Sequence, residues 1–471
     1  VDTRDDTVTG GRLVTRELAE WVSQLRYEDL PAPVVEEATR AFADYLGESL
    51  FVGATKPWGQ AIAAFAEEDG GCRPEATIIA TGAKATAARA AFANGTMALG
   101  FEYADFGRGG RPYPFAVTGP LVMSETRHKP GRDLVLGIVI AYEVIDRLAG
   151  AMMPTEAEVN AGTHISSGFY TPAVMGTPAS AAGCSRVLGL DPLQTTYAIG
   201  LGCAFAGGSF QGHEEGSWQR SLNGGMAGER AVTAALMGER SFKATEMGIE
   251  GVQGFAAAFW QGRCKVDELL DGLGDSYAIS TRWVKPYPMN LTLHAPVEAL
   301  LRIVQGNDVH YEDIVEIEAA WQRVEPFLAK HKVSTVVSAQ ASLPFALSVA
   351  AVHRTIGVDQ FTDETVADPR VQGLIPKTVV YQDEELYQKV KFSKPGRVTV
   401  RLKDGREYTE EVLYPRGNPS NPLSEEDFKA KFMDMAVRVL GQEQADQLYR
   451  GARSVETLDD VAEITPLFSP R

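Results

Sequence analysis

Between residues 13 and 264 apolar side chains recur at helical spacing, and alanine and glycine fill much of the rest. Leu18, Trp21, Val22 and Leu25 share one helical face, as do Val35, Ala38, Phe42, Tyr45 and Leu46. Residues 83–100 are dense in alanine and poor in β-branched residues, and 134–149, 180–188, 194–206 and 225–237 continue the pattern. Small side chains let helices approach closely. The expectation is one large all-α domain, with a helix starting at about Pro178.

The pattern changes near Trp283. Ile314-Val315-Glu316-Ile317-Glu318-Ala319 alternates apolar and polar, as a half-buried strand does. Residues 398–402 and 407–412 also read as strands, and they flank Lys403-Asp404-Gly405-Arg406. Asp-Gly in that position predicts a hairpin, because the turn needs positive φ. Residues 338–352 read as helix. From Ser424 the chain is helical again, through Phe428, Phe432, Met435, Val439 and Leu440. The fold expected is mainly α, with a helical domain over 1–280 completed by 416–471 and a smaller α+β unit inserted over 281–415.

The chain has 471 residues, 44% of them apolar, and 45 basic against 62 acidic side chains give a formal charge of −17. That balance disfavours nucleic-acid backbones and anionic membrane surfaces as partners. Residues 134–153 form the longest apolar stretch, but Glu143, Asp146 and Arg147 interrupt it, so it reads as a buried helix. Cys72, Cys184, Cys203 and Cys264 are few and scattered, and the first six residues are polar and acidic. Together these features predict a reduced, cytoplasmic protein.

Phosphate-binding glycine loops, the zinc-protease H-E-x-x-H pattern and the G-x-S-x-G elbow are missing, and the seven histidines lack metal-ligand spacing. Polar residues instead gather in islands. Phe101-Glu102-Tyr103-Ala104-Asp105-Phe106-Gly107-Arg108-Gly109-Gly110-Arg111-Pro112-Tyr113 holds two acids and two arginines in a loop shaped by glycine and proline. Residues 163–172 carry hydroxyl groups and Tyr170. Residues 212–225 carry Arg220 ahead of a glycine-rich helix, where a guanidinium can hold a carboxylate in bidentate fashion. Lys285 stands beside Pro286 on a stiffened turn, with Asn290 five residues on. A lysine there can anchor a carboxylate or move a proton.

In order along the chain, these islands resemble the MmgE/PrpD family, which includes 2-methylcitrate dehydratases, cis-aconitate decarboxylases and an iminodisuccinate epimerase. The resemblance rests on Asn94-Gly95 with Glu102 to Asp105, on Gly168-Phe169-Tyr170, and on Gly189-Leu190 after Val187-Leu188. It continues in Arg220-Ser221-Leu222-Asn223-Gly224-Gly225, Lys285-Pro286-Tyr287-Pro288 with His294, and Gln340-Ala341-Ser342-Leu343-Pro344-Phe345. Several positions depart from the family pattern. Glu102 replaces an aspartate, Tyr113 and Tyr170 replace histidines, Arg220 replaces a lysine, and Asn290 replaces a histidine. Lys285 is unchanged. Each replacement can still carry a proton or bind a carboxylate.

The resemblance implies a helical domain with an α+β lid, a site in the cleft between them, and a homodimer. The mechanism it implies is cofactor-free proton abstraction beside a carboxylate of a small di- or tricarboxylate. Lys285 and Tyr170 are the expected acid/base groups, Arg220 and Arg111 the carboxylate anchors, and Arg108 a weaker anchor. Glu102 and Asp105 would orient or share a proton, Asn290 would donate a hydrogen bond, and Tyr113 is a further candidate catalytic group. A lyase is favoured slightly over an epimerase or isomerase. A non-catalytic binding protein on the same fold is the reading from a different class.

Overall fold

The spacing of the central helices is set by glycine against glycine. The computed structural model describes residues 12–68, 73–154, 168–321, 328–390 and 393–471. The helices that position the site are α1 (Ala32–Thr55), α2 (Ala87–Ala98), α3 (Gly131–Met152), α4 (Thr171–Leu188), α5 (Pro192–Phe205), α6 (Gln211–Glu215), α7 (Gln219–Glu239), α8 (His294–Gly306), α9 (Leu343–His353) and α10 (Glu425–Arg453). Helices make up 61% of the structure, so it is mainly α. Helix α2 crosses α7 with Gly95 facing Gly224. A Cβ on Gly224 would stand 2.2 Å from the carbonyl oxygen of Gly95, and one on Gly95 would stand 2.6 Å from that of Gly224. Only backbone fits there.

Helix α4 begins at Thr171, seven residues before the expected start at Pro178. Pro172 occupies its first turn, where proline is tolerated, whereas Pro178 lies inside the helix. Gly202 of α5 packs closely against it: a Cβ there would lie 2.7 Å from the Cα of Pro178. The early start makes Tyr170 the residue that caps α4. Of the second polar island, residues 163–167 lie outside the described residues.

Four strands form one sheet: β1 (Ile314–Trp321), β2 (Thr378–Gln382), β3 (Gly396–Leu402) and β4 (Glu407–Val412). Their order is β2-β1-β3-β4. Strands β3 and β4 form the expected hairpin, with Thr399 opposite Thr409 and Gly405 at φ +86° in the turn. Strand β3 pairs antiparallel with β1, and β2 adds to the other edge of β1 in parallel. Helix α8 packs on the sheet and α9 packs on α8.

After the sheet the chain returns, and α10 packs against α1. One apolar cluster joins the two parts: Phe51 and Val52 of α1 and Phe101 of the loop after α2 share it with Met289, Leu293 and Trp321 from the later region. Phe101, Met289 and Trp321 are fully buried, and each such side chain contributes roughly 1.5–3 kcal/mol. Among the described residues no helix is long and apolar enough to cross a membrane.

Candidate active site

Glu102 follows the end of α2 and takes φ +59°, a left-handed conformation unusual for a residue with a side chain. Two side chains pin the backbone beside it. The N–H of Phe101 donates to Glu48 Oε1 of α1 at 2.7 Å. Gln340 Nε2 donates to the carbonyl oxygens of Phe101, at 2.5 Å, and Pro288, at 2.9 Å. Strain of this kind persists where the surroundings over-determine it.

Lys285 is brought to the same place by three ties. Phe106 and Trp283 exchange backbone hydrogen bonds at 3.0 and 2.8 Å, which joins the Glu102 loop to the lysine segment. Tyr103 Oη donates to the carbonyl of Pro286 at 2.8 Å. The Val284 N–H donates to Gly417 O at 3.0 Å, and Gly417, at φ +86°, leaves no space for a side chain: a Cβ would lie 1.8 Å from Val284 O.

Three cationic side chains then meet on one carboxylate. Arg220, from the first turn of α7, donates through Nη1 to Glu102 Oε1. Arg111 Nη2 donates to Oε2. Lys285 Nζ lies 3.3 Å from Oε2 and donates to the Glu102 carbonyl at 2.9 Å. Arg111 Nη1 also donates to Tyr170 Oη at 2.9 Å. Glu102, Arg111, Arg220, Lys285 and Tyr170 are all buried. Arg111 Nε and Arg220 Nε have no hydrogen-bond partner among the described residues.

The electrostatics follow from burial and this imbalance. Burial alone would raise the Glu102 carboxyl, but Arg111, Arg220 and Lys285 overcome it and hold the group well below its ordinary range. Glu102 is therefore a fixed anion. Burial lowers Lys285, Glu102 opposes that shift and Arg111 adds to it, and the net effect brings the amine down to about 7. A lysine in that range can lose its proton near neutrality.

Behind the cluster, Glu48 Oε2 accepts the hydroxyl of Tyr113. Burial pushes the Glu48 carboxyl up to about 7, against the pull of Tyr113, the Phe101 N–H, Lys431 and Lys285. Asp105 belongs to a separate group. It accepts from Tyr142 Oη at 2.5 Å, from Arg282 Nη1 at 3.3 Å and from the Tyr113 N–H at 3.2 Å. Arg282 also reaches Glu37 at 3.0 Å.

A model of the MmgE/PrpD N-terminal domain matches residues 16–266, and one of the MmgE/PrpD C-terminal domain matches 287–456. The chain belongs to the MmgE/PrpD family. This MmgE/PrpD chain is 26% identical to a cis-aconitate decarboxylase-like protein of Aspergillus oryzae, over 99% of the chain and 98% of that protein. It is 25% identical to a cis-aconitate decarboxylase of Aspergillus terreus, over 97% and 96%. With the cis-aconitate decarboxylase of Homo sapiens it shares 22% identity over 80% and 78%.

In this MmgE/PrpD protein the structure brings Lys285, Tyr170, Glu102, Arg220 and Arg111 together. It does not bring in the rest. Tyr113 faces Glu48, and Asp105 faces Arg282. Asn290 caps the turn Leu291–Leu293, accepting from the Thr292 N–H at 3.0 Å. Arg108 is half-exposed beside Asp146 and Glu268, at 3.5 and 3.2 Å. It lines a groove of about 490 Å³ that also includes Glu143, Arg147 and Asp271.

Sequence reasoning assigned no role to Glu48, Gln340 or His213. Glu48 sits inside an ordinary-looking helix, so nothing marked it. Gln340 and His213 both lie in segments singled out above, which was the available signal. The His213 ring stacks on that of Tyr170, with centroids 4.4 Å apart.

Proposed function

We propose that this protein is a cofactor-free carbon-acid enzyme acting on a small di- or tricarboxylate, and most readily a lyase of the dehydratase or decarboxylase type. The observation that carries this reading is the charge imbalance at Glu102. Two guanidiniums and an amine face one buried carboxylate, and a substrate carboxylate supplies the missing negative charge. Arg111 and Arg220 hold that group, and they stabilise negative charge that develops on it when the adjacent carbon loses its proton. Lys285, as the neutral amine, accepts the proton. Expulsion of hydroxide, protonated by a nearby acid to leave as water, then gives an alkene. In the decarboxylase form a carboxyl group leaves as carbon dioxide and the carbon takes a proton. The relatives named cis-aconitate decarboxylase favour this lyase reading.

One observation favours an epimerase as the second reading. Lys285 reaches the Glu102–Arg111 pair through Glu102, and Tyr170 reaches it through Arg111. Two separate proton carriers at one substrate allow removal from one face and return to the other. In this reading residues 281–415 act as a lid that contributes Lys285, and the working form is a cytoplasmic homodimer.

Proton NMR in deuterated buffer with citrate-like, aconitate-like and amino-dicarboxylate compounds tests the reading. New olefinic resonances or loss of a carboxyl group identify a lyase. Deuterium at a carbon centre with the skeleton intact identifies an epimerase. Dicarboxylate binding without either change across the panel would leave a binding protein and sink the enzyme reading.

A further inference from the structure

His213 lies on α6, where the backbone is held from several sides. The His213 N–H donates to Phe210 O at 2.8 Å, and the Phe210 N–H donates to Gly168 O at 2.8 Å. Lys330 Nζ donates to Glu214 O at 3.2 Å, and Thr335 Oγ1 donates to Gly216 O at 3.4 Å. Helix α6 also abuts the start of α7, since a Cβ on Gly212 would stand 2.9 Å from the Arg220 nitrogen.

The imidazole is held as firmly as its backbone. It stacks on Tyr170 at 4.4 Å with an interplanar angle of 25°, and on Phe210 at 4.9 Å with an angle of 9°. Both ring nitrogens are shut off from solvent, and neither has a hydrogen-bond partner among the described residues. Burial, reinforced by Arg220 and Arg111, keeps the ring well below its ordinary pKa, so it is neutral at pH 7. A neutral imidazole carries one donor and one acceptor. Leaving both unused while buried is costly. Such a cost, beside a cluster with spare guanidinium donors, marks a site where a ligand completes the hydrogen bonds.

We infer that His213 contacts the substrate and selects compounds that carry a hydroxyl or amino group on the carbon next to the carboxylate bound by Arg111 and Arg220. This rests on the carboxylate reading above. The guanidiniums are donors only, so they satisfy a carboxylate but cannot accept from a hydroxyl. The imidazole can accept from it and donate to it.

Calorimetric titration with succinate and with each enantiomer of malate tests this in the wild type, His213→Phe and His213→Gln. Phenylalanine keeps the stacked ring and removes both nitrogens, and glutamine restores a donor and an acceptor. The wild type is expected to bind one malate enantiomer about tenfold more tightly than succinate. His213→Phe should lose that preference and keep its succinate affinity and melting temperature. His213→Gln should recover part of it. Malate preference that survives in His213→Phe, or that is absent from a wild type binding succinate, overturns the assignment of His213 alone. Equal loss of succinate and malate affinity in His213→Phe means a structural role and overturns it too. No dicarboxylate binding by the wild type overturns the carboxylate reading and this inference with it.

Discussion

Lys285 Nζ stands 3.3 Å from Glu102 Oε2 and 2.9 Å from the Glu102 carbonyl oxygen, so side chain and backbone of one residue hold the same amine. The lysine is thus fixed in position whichever protonation state it adopts. It keeps the backbone contact even when it gives up its charge.

That arrangement makes a prediction about pH. A lysine acting as base works as the neutral amine, so kcat/KM should rise with pH and level off above about 7, the value to which burial brings Lys285. An ordinary lysine would place that limb more than three pH units higher, near 10.4. Lys285→Met should lower kcat about 10³-fold and abolish the limb. A pH profile of kcat/KM on the substrate found by NMR checks both outcomes.

Glu102→Gln removes the anion that balances Arg111, Arg220 and Lys285. Breaking a buried ion pair by removing one partner costs about 3–5 kcal/mol, so the variant should melt well below the wild type. Succinate should then raise its melting temperature more than it raises that of the wild type, because the ligand replaces the lost charge. Thermal melts with and without succinate decide this. An equal rise in both proteins would mean that the ligand binds elsewhere.

Glu48 pulls Lys285 toward the protonated form. Glu48→Gln keeps an acceptor for the Phe101 N–H, turns the other position into a donor to Tyr113 Oη, and removes the negative charge. The acid limb of the pH profile should therefore move to lower pH, with less than a threefold change in the plateau rate. A shift to higher pH would contradict the proposed coupling.

Arg108 pairs with Asp146 and Glu268 at a half-exposed position away from Glu102. Exposed pairs of this kind contribute about 0–1 kcal/mol. Arg108→Ala should leave kcat and KM within twofold of the wild type and cost less than about 1 kcal/mol in chemical denaturation.

Much of the fold is legible from local pattern. Alanine-rich stretches mark helices, and Asp404-Gly405 marks the β3–β4 hairpin. Strand β2 was not legible, because its partner β1 lies some sixty residues away and pairs in parallel, so no turn announces it. The site divides along the same line. Glu102, Arg220 and Lys285 each stand in a recognisable island, but only the folded chain shows that they share one carboxylate. Asp105 is three residues from Glu102 in sequence, yet the irregular backbone after Glu102 turns it toward Arg282. His213 also stands in a recognisable island, but its stacking on Tyr170 leaves no spacing pattern that would mark its role.

The facing glycines at Gly95 and Gly224 divide what can change from what cannot. Around Glu102, one proton carrier or anchor can replace another without moving the chain. A methyl group at either glycine would meet an opposing carbonyl, pry α7 from α2, and lengthen every distance measured from Arg220 at once. The helix crossing behaves as a fixed ruler under an exchangeable set of reactive groups. New chemistry on this scaffold can come from altered side chains, while the glycine pair keeps the dimensions of the site.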